Sequence, residues 1–428
     1  MRFLILTQYF PPEIGAAPTR LPSVAAELRR LGHEVEVVTS LPSYPRGRIF
    51  PGYQKRFYVR EECEGMVVHR LWLCAALGGG FERVLNYASF ALTSLFGFTR
   101  ARKPDYLFLE SPPLFLSVPA VIAARLWRVP LIMNVADLWP DAITEAGILK
   151  EGLLVRILRG MERWSYRNAT FVNAVSEGIR DCLLHKKSVP AHKVLFLPNG
   201  VDTSRFQPQP CDIHFKKQLG LEGKRVILWA GTEGQSHALE YVIEAANLLR
   251  HQNEVHFLFV GDGTARASLE QLCQKMSLTN VTFHDPVPPD KLPAFFSIAE
   301  CGLASLRDIP VHEGARPSKI LPILASGKAV IYVGRGEGAR LIQQAGAGIV
   351  VPPENPRALA RAVEGFFSRP EGVEEMGKNG RAFVETHFPW SKLVNDWVLQ
   401  LRDSESKQGF AELTSPRSTV VPMQRGGS

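Results

Sequence analysis

The sequence predicts two doubly wound α/β domains in series, each a parallel sheet with helices on both faces. Three observations predict it. At 428 residues the chain exceeds what one ordinary hydrophobic core organises. Its first half alternates short apolar runs with helically spaced stretches, the pattern of a parallel sheet. After a proline-rich, polar segment at 198–212, the alternation starts afresh.

The elements follow in order. Phe3–Leu6 is a short apolar strand, and 19–31 has helical spacing that stops at Gly32, a natural C-cap. Residues 34–39 alternate into a second strand, and 106–109, 131–135, 170–173 and 194–197 continue the series. The second domain begins with a strand at 225–230, a glycine-containing turn and a helix at 239–249. Strands follow at 256–260, 281–284, 301–303, 329–332 and 348–350. The predicted domains are therefore 1–197 and 198–389. A last helix at 390–402 crosses back to the first domain, and a polar tail at 403–428 is expected to be disordered. Two open sheets in series put a ligand cleft where the carboxyl ends of their strands face each other.

Composition narrows the class. Six scattered cysteines form no C-x-x-C pair and no metal-ligand spacing, which is the usage of a cytoplasmic protein. The amino terminus reads as a buried strand rather than a secretory signal. Residues 1–197 hold 25 Lys and Arg against 17 Asp and Glu, so they carry the whole net charge of +8. No nucleic-acid recognition motif accompanies that charge. An anionic membrane surface or a phosphate-bearing acceptor fits it better. Val84–Phe98 is too short and too interrupted by polar residues to span a bilayer. It reads either as a buried helix or as a helix lying on a membrane.

Several segments carry chemistry. The loop after the first strand runs from Tyr9 to Arg20 through Gly15, Ala16 and Ala17. Small residues there let backbone N–H groups approach a phosphate, and the following helix adds its positive end; a plain strand–helix turn is the other reading. Gly231-Thr232 and Gly261-Asp262-Gly263 each follow a strand. Arg316, Ser318 and Lys319 precede a helix. Asp137 follows an apolar strand, so it belongs at a cleft edge or caps a helix.

In order and spacing these segments resemble glycosyltransferase family 4, the retaining enzymes of GT-B fold, over about residues 1–402. The resemblance rests on Pro198-Asn199-Gly200-Val201-Asp202, Val175-Ser176-Glu177, Trp229-Ala230-Gly231-Thr232, Phe259-Val260-Gly261-Asp262-Gly263, Arg316-Pro317-Ser318-Lys319 and Ala325-Ser326-Gly327-Lys328. Asp137-Leu138-Trp139-Pro140-Asp141 looks like an element of the fucosaminyltransferase-like branch that builds O-antigens and capsules. The resemblance implies that the second domain binds a nucleotide sugar, usually a UDP-sugar. The first then binds the acceptor, a polyprenyl-diphosphate-linked saccharide on the inner face of a bacterial membrane. The implied donor residues are Gly15, Gly231, Thr232, Gly261, Glu313, Arg316, Ser318 and Lys319. Asp137, Trp139 and Arg20 fall to the acceptor, and Asp137 and Lys319 to catalysis. Asp137 orients the acceptor hydroxyl or balances charge on the sugar, Trp139 stacks on a sugar or fills core, and Glu177 closes the cleft or caps its helix.

The chain has no D-x-D motif, so diphosphate charge falls to backbone donors and cations without a metal cofactor. It departs from the family where a ribose-binding glutamate is usual: Pro322 stands there, with Glu313, His312 and Glu337 as substitutes. The usual Arg and Lys of the Gly231 loop are replaced by Glu233, Gln235 and His237. Two alternatives follow, a sugar-nucleotide 2-epimerase and a non-catalytic scaffold of the same fold.

Overall fold

A computed structural model of the chain describes all residues except 45–46, 77–80, 146, 148 and 415–428. The first sheet contains β1 (Arg2–Leu6), β2 (Glu34–Ser40), β3 (Tyr58–Cys63), β4 (Met66–Leu71), β5 (Tyr106–Ser111), β6 (Leu131–Val135), β7 (Phe171–Ala174) and β8 (Val194–Phe196). Their order is β3-β4-β2-β1-β5-β6-β7-β8. The second contains β9 (Arg225–Ala230), β10 (Val255–Val260), β11 (Val281–His284), β12 (Ala299–Ser305), β13 (Ala329–Val333) and β14 (Gly348–Val351) in the order β11-β10-β9-β12-β13-β14. Every pairing is parallel except β3 with β4. β1, β2, β5 and β6 are buried almost end to end, as strands covered on both faces must be.

The β3–β4 hairpin is absent from the sequence reading. Its outer strand, Tyr-Val-Arg-Glu-Glu-Cys, is half exposed and charged, so no apolar run marks it. The two strands turn on Glu64 and Gly65, both at positive φ, the requirement of a tight two-residue hairpin.

The last helix, Trp390–Thr414, does cross back. It runs past residue 403, where the sequence reading placed a disordered tail; 415–428 lie outside the described residues. Trp390, Val394, Trp397 and Leu401 bury against Phe3, Phe108 and Phe171 on one face of the first sheet. Trp397 meets Phe108 edge-on at 5.9 Å, and Gln400 accepts a hydrogen bond from the Phe196 N–H on edge strand β8 (2.9 Å). The two crossings between domains touch: the Val201 N–H donates to the Phe388 carbonyl at 2.9 Å. Each sheet reverses its winding direction at one point, between β1 and β5 and between β9 and β12. Those two switch points open onto one interdomain cleft.

Candidate interdomain active site

The second-domain wall of the cleft is built from backbone. β9 ends at Ala230, and Gly231 follows at φ 137°, where L side chains are strained. A Cβ on Gly261 would lie 2.0 Å from the Gly231 carbonyl oxygen, and one on Gly263 2.3 Å from that of Glu233. The loops after β9 and β10 therefore pack main chain on main chain, leaving a concave surface that side chains would fill. Glu233 is buried behind it, paired with Arg266 at 3.3 Å. Desolvation raises its carboxyl to about 7 against the pull of Arg266.

Lys319 lies across that surface. A Cβ on Gly231 would come within 2.6 Å of its Cε. Its amine sits 4.7 Å above the Trp229 ring and 3.1 Å from His237 Nε2. The other ring nitrogen, Nδ1, lies 3.1 Å from the Ser305 carbonyl. Since that carbonyl only accepts, Nδ1 carries the proton and Nε2 accepts from the lysine. Burial, joined by the Lys319 charge, holds His237 well below its ordinary pKa and so neutral. Burial alone lowers Lys319 to about 8, and among the described residues no carboxylate pairs with it. A desolvated cation without a counter-ion, aimed at a glycine cradle, is a receptor for an anion.

The first domain faces it with Gly15, the N-cap of the helix Ala16–Arg30, whose first-turn N–H groups have no side-chain cap. Arg20 also lines the cleft, but its guanidinium is engaged: it pairs with buried Glu110 and donates to Asn199 Oδ1 at 3.2 Å. Glu110 accepts from Asn134 (2.7 Å), Asn134 from Asn173 (2.6 Å), and Asn173 from Trp397 Nε1 (3.1 Å). A continuous buried polar chain thus ties Arg20 to the last helix.

Two further candidates lie at a second, smaller cavity beside the cleft, and Asn199 lines both. Asp137 and Arg316 line it. Asp137 stands exposed; desolvation raises its carboxyl, and the charge of His312 pulls the other way. Arg316 is a strut between domains rather than a free phosphate ligand. It stacks on Phe388 at 4.6 Å, donates to the Asn199 carbonyl and stands 3.8 Å from Glu337. Glu337 accepts from the Gly178 N–H at 2.9 Å, so it is engaged in the same joint rather than free for a ribose. Ser176 Oγ donates to the Gly314 carbonyl at 2.7 Å.

The cleft thus unites Gly15, Arg20, Gly231, Thr232, Gly261, Ser318 and Lys319, with Pro322 in its wall. It does not include Asp137, Arg316, Glu313 or Trp139. The side chain of Glu313 is exposed while its backbone packs on Gly336, and Trp139 packs against the first-domain core. Glu177 pairs locally with Arg180 in its own helix. Sequence reasoning missed the role of His237 beside Lys319. Its only signal was a histidine standing where a cationic loop residue was expected. Among the described residues no three His, Cys, Asp or Glu side chains cluster to hold a metal ion.

Comparison with known proteins follows the same two-part division. Residues 15–200 match the glycosyl transferase 4-like domain and 212–383 the glycosyl transferases group 1 domain. A protein of Escherichia coli (strain K12) named as a colanic acid biosynthesis glycosyl transferase, WcaI, is 30% identical over 380 residues, covering 85% of this chain and 91% of that protein. The alpha-D-kanosaminyltransferase of Streptomyces kanamyceticus is 27% identical over 232 residues, 52% of this chain and 58% of that one. Among solved structures, a sucrose-phosphate synthase from Thermosynechococcus elongatus superposes with a TM-score of 0.73 at 17% identity, covering 96% and 99% of the two chains. HepE from Anabaena, in complex with UDP and glucose, gives 0.71 at 16% identity over 94% and 99%. At such identities these two show a shared fold.

Proposed function

This chain belongs to the glycosyltransferases that couple a glycosyl transferase 4-like domain to a group 1 domain, and from that premise we propose that it transfers a sugar, with retention, from a UDP-sugar to a lipid-linked saccharide. The fold is GT-B and the enzyme a glycosyltransferase. The setting we assign is bacterial surface-polysaccharide synthesis on the inner face of the membrane, in keeping with the name of the E. coli relative. One observation carries the donor assignment: the Lys319 amine, without a carboxylate partner, over the Gly231–Gly261 surface.

The diphosphate lies on that surface, met by backbone N–H groups and by Lys319 without a metal. As the bond from the anomeric carbon to the diphosphate oxygen breaks, Lys319 neutralises the charge collecting there. The acceptor oxygen bonds to the same face of the sugar, and its proton passes to the departing phosphate oxygen. No dedicated base is required. The uracil-bearing HepE complex is consistent with the choice of nucleotide. Titration of the protein with UDP in the presence of EDTA is expected to show binding below millimolar. Absence of binding to any nucleoside diphosphate at millimolar concentration overturns the transferase reading in favour of a scaffold.

In this reading Asp137, which lines the side cavity, holds an acceptor hydroxyl. Asp137→Asn should then lower turnover by about 10²-fold with the UDP dissociation constant unchanged. Parent turnover in this variant would reduce Asp137 to a turn residue.

A further inference from the structure

Three helices cover one face of the first sheet side by side: Phe81–Arg100, Ser117–Trp127 and Leu153–Asn168. Their inner sides supply core residues such as Phe90, Ala120 and Tyr166. Their outer sides are not the polar surface that water selects. On the third helix Leu153, Ile157 and Trp164 recur four and seven residues apart and stand exposed. On the second, Val118, Ile122 and Leu126 recur every four. Leu126 is 78% exposed, Leu153 70% and, on the first helix, Leu92 70%. Of the large apolar side chains that stand exposed among the described residues, only Ile213, Leu248 and Leu399 lie outside residues 1–197. Each of the three neighbouring helices thus carries a row of exposed apolar side chains on its outer side.

Charge decides what covers it. The Ser117–Trp127 helix has no acidic residue. Exposed Arg128, Arg156, Arg163 and Arg167 stand among the apolar side chains, and none has a carboxylate partner among the described residues. A second copy of the chain would bring arginine against arginine across a two-fold axis. An anionic bilayer satisfies both halves of the surface at once, taking apolar side chains at the headgroup boundary and guanidinium groups on its phosphates.

We propose that this three-helix face seats the protein on an anionic lipid bilayer. Leu126, Leu153, Ile157 and Trp164 enter the headgroup–acyl boundary, and Arg156 and Arg163 pair with lipid phosphates. From its buried side, the first of the three helices also reaches toward the cleft wall. Tyr87, on the first of the three helices, adjoins Tyr9, and Tyr9 meets Tyr44 at 5.5 Å in the cleft wall. An acceptor anchored in the same leaflet would therefore present its head group beside the donor. That last step rests on the function proposed above; the seating itself does not.

Co-sedimentation tests it, with vesicles of phosphatidylglycerol and phosphatidylcholine compared with pure phosphatidylcholine. The parent protein should pellet with the mixed vesicles and remain in solution with the neutral ones, and salt should release it. Leu126→Glu with Ile157→Glu, and separately Arg156→Gln with Arg163→Gln, should each lower the partition coefficient by at least about tenfold. Unchanged UDP affinity in both pairs shows that the fold is intact. Undiminished partition in both pairs, or equal binding to neutral vesicles, overturns the proposal. So does a dimer that the glutamate pair converts to monomer while lipid binding persists. Failure of UDP binding in the parent protein would leave the vesicle result standing, so the two readings fail separately.

Discussion

Lys319→Ala is expected to weaken UDP binding by about 10- to 100-fold, the worth of a charge-assisted hydrogen bond to phosphate in a partly buried site. Titration calorimetry on parent and variant measures it directly; an unchanged dissociation constant removes Lys319 from the phosphate site. The same residue sets a pH signature. Burial has lowered its amine to about 8, and only the charged form meets the diphosphate. Affinity should therefore be full below pH 8 and fall as the pH rises through 8, by up to about tenfold per unit. The variant should lose that dependence. Stability moves the opposite way. The folded pKa lies below the unfolded value, so the unfolded chain binds more protons between pH 8 and 10.5, and the ligand-free protein gains stability as the pH rises across that window. Lys319→Met, which keeps the stem and drops the charge, should be more stable than the parent at neutral pH while binding UDP poorly.

The second large effect lies far from the donor. Trp397→Ala should cost the first domain about 3–5 kcal/mol, because a fully buried indole is removed from between Phe3 and Phe108 and the backbone cannot collapse to fill its place. Trp397→Phe retains most of the packing but leaves Asn173 Oδ1 without the indole N–H, a loss of about 1–2 kcal/mol. Urea unfolding followed by the near-ultraviolet signal separates the two. Equal destabilisation by both substitutions would mean that the hydrogen bond, rather than the packing, holds the helix.

What could be read in the sequence follows from what is local. β9 was placed residue for residue, because a strand buried on both faces is an unbroken apolar run. β3 was not, because an edge strand alternates charge with half-buried residues and its register comes only from its partner. Gly231 and Gly261 were legible as phosphate-loop glycines, though their reasons, Lys319 against a Cβ at Gly231 and a carbonyl against a Cβ at Gly261, are visible only in three dimensions. Cations were the least legible. Lys319, Arg316 and Arg20 look equally available in a sequence. Arg316 meets Glu337 and Arg20 meets Glu110, ninety positions away, whereas Lys319 meets a neutral histidine. Which positive charge stays free for a ligand is decided by folding partners that no local pattern reveals.

The return of the last helix has a consequence for biosynthesis. One apolar face of the first sheet, around Phe3, Phe108 and Phe171, is covered jointly by the helix Ala16–Arg30 and by residues 390–401. On the ribosome that sheet therefore emerges with part of its cover still unmade, and the entire second domain is translated before the last helix appears. The usual order, in which the leading domain finishes folding first, cannot hold here. The nascent first domain waits open, exposed to chaperones or to aggregation, until the chain is nearly complete. A circular permutant that places 390–414 ahead of residue 1 would remove the wait.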